Sequence, residues 1–99
     1  MNGPATERVV RDMAITPGDF FRLLPRALDG LTYAAGRDHV AVGDAAHGVA
    51  ISIRPLEPRR IALLVIERCE VVLAFKGYDA AERQTFLERF DRAYHRGGG

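Results

Sequence analysis

The chain has 99 residues, with 14 basic and 13 acidic side chains for a formal net charge of +1, and 47% of its residues are hydrophobic against 27% charged. One domain fits this length, because a second core would need roughly 100 more residues. The balanced charge excludes a disordered acidic or basic tail, and the longest unbroken apolar run, Ile61 to Ile66, is far short of the roughly 20 residues of a membrane-spanning helix.

Near the start, Glu7, Arg8, Arg11 and Asp12 fall where a secretory signal keeps its apolar stretch. Cys69 is the only cysteine, so no internal disulfide forms and burial must hold the fold, as in cytoplasmic domains. A cytoplasmic location is therefore expected. Every basic residue except Lys76 is arginine. A GC-rich coding sequence explains that bias better than selection for anion binding, since the net charge is close to zero.

In chain order, residues 1–12 contain Gly3, Pro4, a short charged stretch and no sustained apolar periodicity, which predicts a mobile N-terminal arm. Residues 13–96 form a single α+β domain, and residues 97–99, all glycine, predict a disordered tail. The first helix is announced by Thr16 as a capping hydroxyl, Pro17 at the first helical position and Asp19 near the positive end of the dipole. Phe20, Leu24, Ala27 and Leu28 make its apolar stripe, Pro25 predicts a kink or two short helices in line, and Gly30 closes it. Leu31 to Ala35 offers a short strand that turns at Gly36.

The period then changes to two. Val40 and Val42, then Val49, Ile51 and Ile53, then Ile61, Leu63 and Val65, then Val71, Leu73 and Phe75 predict four strands. The connections carry Gly43, Asp44 and Gly48, then Pro55 and Pro58, then Glu67 to Glu70, and are short enough for antiparallel hairpins. A final helix begins at Asp79 and Glu82, a capping pair, and buries Phe86, Leu87, Phe90, Ala93 and Tyr94 down to about His95. The expected fold is α+β: a helix, a four- to five-stranded antiparallel meander and a C-terminal helix, with both helices on one face of the sheet.

Register and strand width favour that packing. Pairing Val42 with Val49, Ile53 with Ile61 and Val65 with Val71 gathers the bulky alternate residues on one face. Two helices about 10 Å apart cover the roughly 20 Å width of four strands. The other face then holds His39, Ala41, Ala50, Ser52, Arg54, Arg60, Ala62, Leu64, Val72 and Ala74, too apolar at its centre for a solvated sheet. The competing arrangement sets one helix on each side of the sheet.

The expected function is a small non-catalytic interaction or accessory protein, self-associating as a homodimer or docking a protein partner through the uncovered face. Its interface is predicted at His39, Ala50, Ser52, Ala62, Leu64, Val72 and Ala74. The alternative is a small-ligand or nucleic-acid binder that uses Arg54, Arg59 and Arg60 on the second hairpin to hold anions. Nucleic acid is disfavoured by the small charge excess and by the lack of aromatic residues between Tyr33 and Phe75. Asp38, His39, Asp44 and His47 are the best polar constellation, but adjacent Asp38 and His39 point to opposite faces of a strand, so no metal, cofactor or catalytic residue is assigned. Cys69, between glutamates, reads as an ordinary turn residue and not as a nucleophile.

Overall fold

A computed structural model describes residues 6–98. Its elements are β1 (Thr6–Met13), α1 (Pro17–Ala27), β2 (Tyr33–Ala35), β3 (His39–Gly43), β4 (Gly48–Ile61), β5 (Leu64–Lys76) and α2 (Ala80–Gly98). The strands form one antiparallel sheet in the order β1-β5-β4-β3-β2. Val40, Val42, Val49, Ile51, Ile53, Val71, Leu73 and Phe75 are buried on one face, in a single core with Phe20, Leu24, Phe86, Phe90 and Tyr94 of the helices. Both helices therefore share that face, in the expected α+β class, and the arrangement with one helix on each side is not the one adopted.

Helix starts are set locally. The Thr16 hydroxyl accepts the Asp19 N–H at 3.1 Å, with Pro17 in the first turn. At α2, Asp79 Oδ1 accepts the Glu82 N–H at 2.8 Å while Glu82 Oε1 accepts the Asp79 N–H at 3.0 Å, a reciprocal capping box. Pro25 lies inside α1, close enough to the C-terminus that the helix continues to Ala27 as one piece and ends before Gly30. The link between β5 and α2 passes so close to the β3–β4 turn that a Cβ on Gly77, at φ +78°, would stand 2.1 Å from the Ala46 oxygen. Glycine is required there by both backbone and space.

Three expectations are corrected. Residues 6–12 belong to β1, an edge strand paired with β5 from Thr6↔Lys76 to Met13↔Cys69, where a mobile arm was expected; residues 1–5 lie outside the described residues. Its charges are compatible with a strand because Arg11, on the helix side, forks onto Asp91 of α2 at 3.1 and 3.0 Å. At the other end the helical backbone runs to Gly98, past the predicted end near His95 and into the predicted tail, whose Gly99 lies outside the described residues. Third, no separate strand covers 61–65. Val42 does pair with Val49, but Ile53 pairs with Val71 and Val65 with Arg60, because β4 and β5 are single long strands that turn only at Ala62 and Leu63.

The centre of the core is aromatic. Tyr94 stacks on Phe20 with ring centroids 5.0 Å apart and donates its hydroxyl to the Phe20 backbone oxygen at 2.8 Å. Burial pushes the Tyr94 phenol up from its ordinary value, with Tyr33 a lesser cause. The folded protein thus resists an ionisation that the unfolded chain undergoes near pH 10, so stability is full below that value and falls as pH rises through it. Tyr94→Phe is expected to lower unfolding free energy at neutral pH by about 1 kcal/mol and to flatten the alkaline decline. Urea titrations of both proteins on either side of pH 10 measure the two effects.

Candidate protein-interaction surface

The β4–β5 ladder outruns everything packed against it. On one side β3 leaves β4 after His39↔Ser52, and on the other β1 leaves β5 after Met13↔Cys69, so Pro55 to Arg68 project as a two-stranded arm. The long axis of the molecule is accordingly 51 Å, against 29 and 25 Å across. Between Leu56↔Arg68 and Arg59↔Ile66, two β4 residues oppose one β5 residue, a bulge that bends the arm. Arg68 pins this bend: Nε donates to the Glu57 backbone oxygen at 2.9 Å and Nη1 to Asp12 Oδ2 of β1 at 2.6 Å.

The arm ends in apolar side chains that none of the described residues covers. Leu63 is 100% exposed, and Ile61, Leu64 and Val65 are 50 to 64% exposed. Isolated exposed leucines need no explanation, whereas these four large apolar residues lie together around one turn. Ala62, at φ +53°, makes the turn itself. Toward the body, the helix-free face continues with Val10, Val72, Ala74, Ala50 and Ala41, and the small side chains of Ala41, Ala50 and Ala74 border a hollow of about 480 Å³.

The expected interface residues divide accordingly. His39, Ala50, Ser52, Val72 and Ala74 share the helix-free face, with His39 opposite Ser52, Ser52 opposite Val72 and Ala50 opposite Ala74. Ala62 and Leu64 are displaced to the arm tip, because the turn precedes Leu64 rather than following it. Val10 was missed altogether; its β1 position opposite Val72 puts a 56% exposed valine beside the others. The one signal for it was the apolar pair Val9 and Val10 within a charged segment.

The arginine group does not converge. Arg54 is bonded to Glu70 Oε1 at 2.9 Å, Arg59 lies beyond the bulge opposite Ile66, and Arg60, its neighbour along the strand, alternates to the other side. The polar constellation also separates. His39 lies beside Asp38 at 3.3 Å with its ring over Gly36, whereas Asp44 and His47 occupy the β3–β4 turn at the far end of β3. Asp44 Oδ1 accepts the Ala46 and His47 N–H groups, both at 2.9 Å, which lowers its pKa, the His47 bond being the larger cause. His47 stacks on Tyr78 and reaches Glu82 Oε2 at 3.1 Å, which ties the turn to the start of α2. Among the described residues no group of three histidine, cysteine or acidic side chains is placed to hold a metal.

Cys69 is not in a turn. It is fully buried in β5 and its thiol donates to the Ile15 oxygen at 3.2 Å; burial first, and then Glu67, push its pKa up. Among the described residues no helix is long and apolar enough to cross a membrane. No family model, curated protein or solved structure matches this chain.

Because Arg68 joins the arm to β1, Arg68→Ala is expected to raise amide hydrogen exchange in the arm roughly fivefold while leaving exchange at Leu73 and Phe90 unchanged. Residue-resolved exchange by NMR measures both regions in one sample.

Proposed function

We propose that this chain is a small non-catalytic protein-interaction module, working in the cytoplasm, whose contact surface is the helix-free side of the sheet together with the projecting arm. The observation that carries the reading is the contiguous exposure of Ile61, Leu63, Leu64 and Val65 on an arm with neither helix nor neighbouring strand against it. An apolar tip of this size is costly to keep in water and is satisfied by a second protein surface. The alanine-floored hollow supports the same reading, since small side chains admit close approach of another backbone. The cytoplasmic assignment is supported by the single buried thiol, which suits a reducing compartment. The arginine reading has no comparable support, with Arg54 already held by Glu70.

A photoreactive residue placed singly at Leu64, at Val72 and at Arg89, exposed on α2, tests the proposal in cells at native expression. Leu64 and Val72 are expected to give discrete protein adducts, to another protein or to a second copy, and Arg89 none. Absence of adducts at Leu64 and Val72, or equal labelling from all three positions, would overturn it.

A further inference from the structure

β1 is an edge of the sheet, with β5 on one side and no strand of the described residues on the other. Ile53 turns its N–H away from β5 to donate to the Asp38 oxygen at 2.9 Å, so its β5 partner Val71 aims its own main-chain groups the other way, at Arg11 of β1. Odd-numbered β1 residues are therefore bonded to β5, and Thr6, Arg8, Val10 and Asp12 present their N–H and C=O groups outward. Beyond Met13 the chain folds inward, with the Ile15 N–H on the Met13 oxygen at 2.9 Å and the Ile15 oxygen accepting the buried Cys69 thiol, which leaves the outer edge open. On the helix side α2 stands back from that edge. Arg11 keeps its side chain 35% exposed while bonded to Asp91, and the two border a hollow of about 420 Å³ together with Arg83 and Leu87.

Edges of this length are commonly blunted by proline or by charge. β1 has no proline, and the charges of its outward-facing residues are opposite in sign, Arg8 and Asp12, set evenly about the exposed Val10. Among the described residues Arg8 has no ion-pair partner, and Asp12 gives only Oδ2 to Arg68. Read backwards about Val10, this strand is its own complement. Antiparallel pairing centred there sets Arg8 opposite Asp12 of a second copy at both ends. Centring on Arg8 or Asp12 opposes like charges, centring on Val9 or Arg11 opposes a charge to Val10, and parallel pairing in register sets like beside like. The pattern thus selects both the occupant and the register: a strand that faces itself has a reason to carry it, and an unrelated edge has none.

We infer that β1 pairs antiparallel with β1 of a second copy about a two-fold axis at Val10. This goes beyond the reading of the arm, whose tip lies past the end of β1. Val10 and its counterpart exchange both main-chain hydrogen bonds, with Cα atoms about 5.5 Å apart, and Arg8 does the same with Asp12 of the second copy. The Arg8 guanidinium then meets the Asp12 oxygen that Arg68 leaves open, so one carboxylate serves an arginine from each copy. On the helix side Val9 packs against the stem of Arg11 of the second copy. Thr6 falls opposite Ala14 of the second copy, where that chain has already turned inward. The two sheets become one of ten strands, five from each copy, with a continuous helix-free face and the two arms extending in opposite directions.

Sedimentation equilibrium on the full chain tests the pairing, and a dimer is expected. Arg8→Asp and Asp12→Arg each oppose like charges at both ends of the paired strands and are expected to weaken self-association about tenfold. An equimolar mixture of the two variants restores the dimer, because every opposed pair is again of opposite sign, and that recovery shows that both variants are folded. Val10→Cys is expected to form an intermolecular disulfide under mild oxidation, since the Cα spacing at the axis suits one, whereas Ala34→Cys, exposed on β2 at the opposite edge of the sheet, stays reduced. A chain that is monomeric at high concentration would overturn the pairing, as would a dimer that neither charge substitution weakens and that Val10→Cys does not trap. Adducts from Leu64 in either case leave the arm reading standing. A dimer that passes both tests while Leu64 gives no adducts removes the arm reading and keeps the β1 pairing.

Discussion

β4 and β5 are 14 and 13 residues long, paired with one bulge from Gly48↔Lys76 to Ile61↔Leu64, and the consequences of that single ladder run through the molecule. Strands of that length extend about 45 Å, whereas the 19 residues of α2 extend about 28 Å. The helices therefore cover the proximal half of the hairpin and leave the distal half solvated on both faces. Proximally, Val49, Ile51, Ile53, Val71, Leu73 and Phe75 supply a dry face to Phe20, Phe86 and Phe90. Distally the same two strands have only each other.

The division of labour follows from this geometry. The body carries the burial that stabilises the fold, with local hydrogen bonds at the helix starts, the Thr16 cap and the Asp79 and Glu82 box, and the long-range bond from the Tyr94 hydroxyl to the Phe20 carbonyl inside the core. Polar groups that might suggest chemistry are occupied in joining elements. Arg11 ties β1 to α2, His47 ties the β3–β4 turn to the same helix, and Arg68 ties the arm to β1. At the arm tip, by contrast, the large apolar side chains of Ile61, Leu63, Leu64 and Val65 are left exposed among the described residues.

Much of the body could be read from the residues in order. Alternating β-branched positions marked the core face of β3, β4 and β5, and the stripes from Phe20 and Phe86 marked the helix faces that meet it. The arm could not be read, because its signals resemble those of turns. Pro55 and Pro58 punctuate a strand in the sequence, yet at the outer edge of β4 a missing donor costs nothing. Glu67, Arg68 and Glu70 look like a polar connection, yet charged residues suit a strand with little packed above or below it. The same ambiguity hid β1, whose Glu7, Arg8, Arg11 and Asp12 mask a modest alternation of Val9 and Met13 toward the core.

Composition and periodicity were enough for the α+β class and the helix caps, since these depend on side-chain pattern within a few residues of one another, whereas the sharing of one sheet face by both helices stood against one helix on each side until the tertiary packing decided it. Where β4 turned back, which strand lay beside β5, and hence which backbone groups were left unpaired, depended on pairings between residues far apart in the chain. Local pattern is blind to that choice: a solvated strand and a loop place the same demands on their side chains, and only the hydrogen-bonding neighbour across the sheet tells them apart.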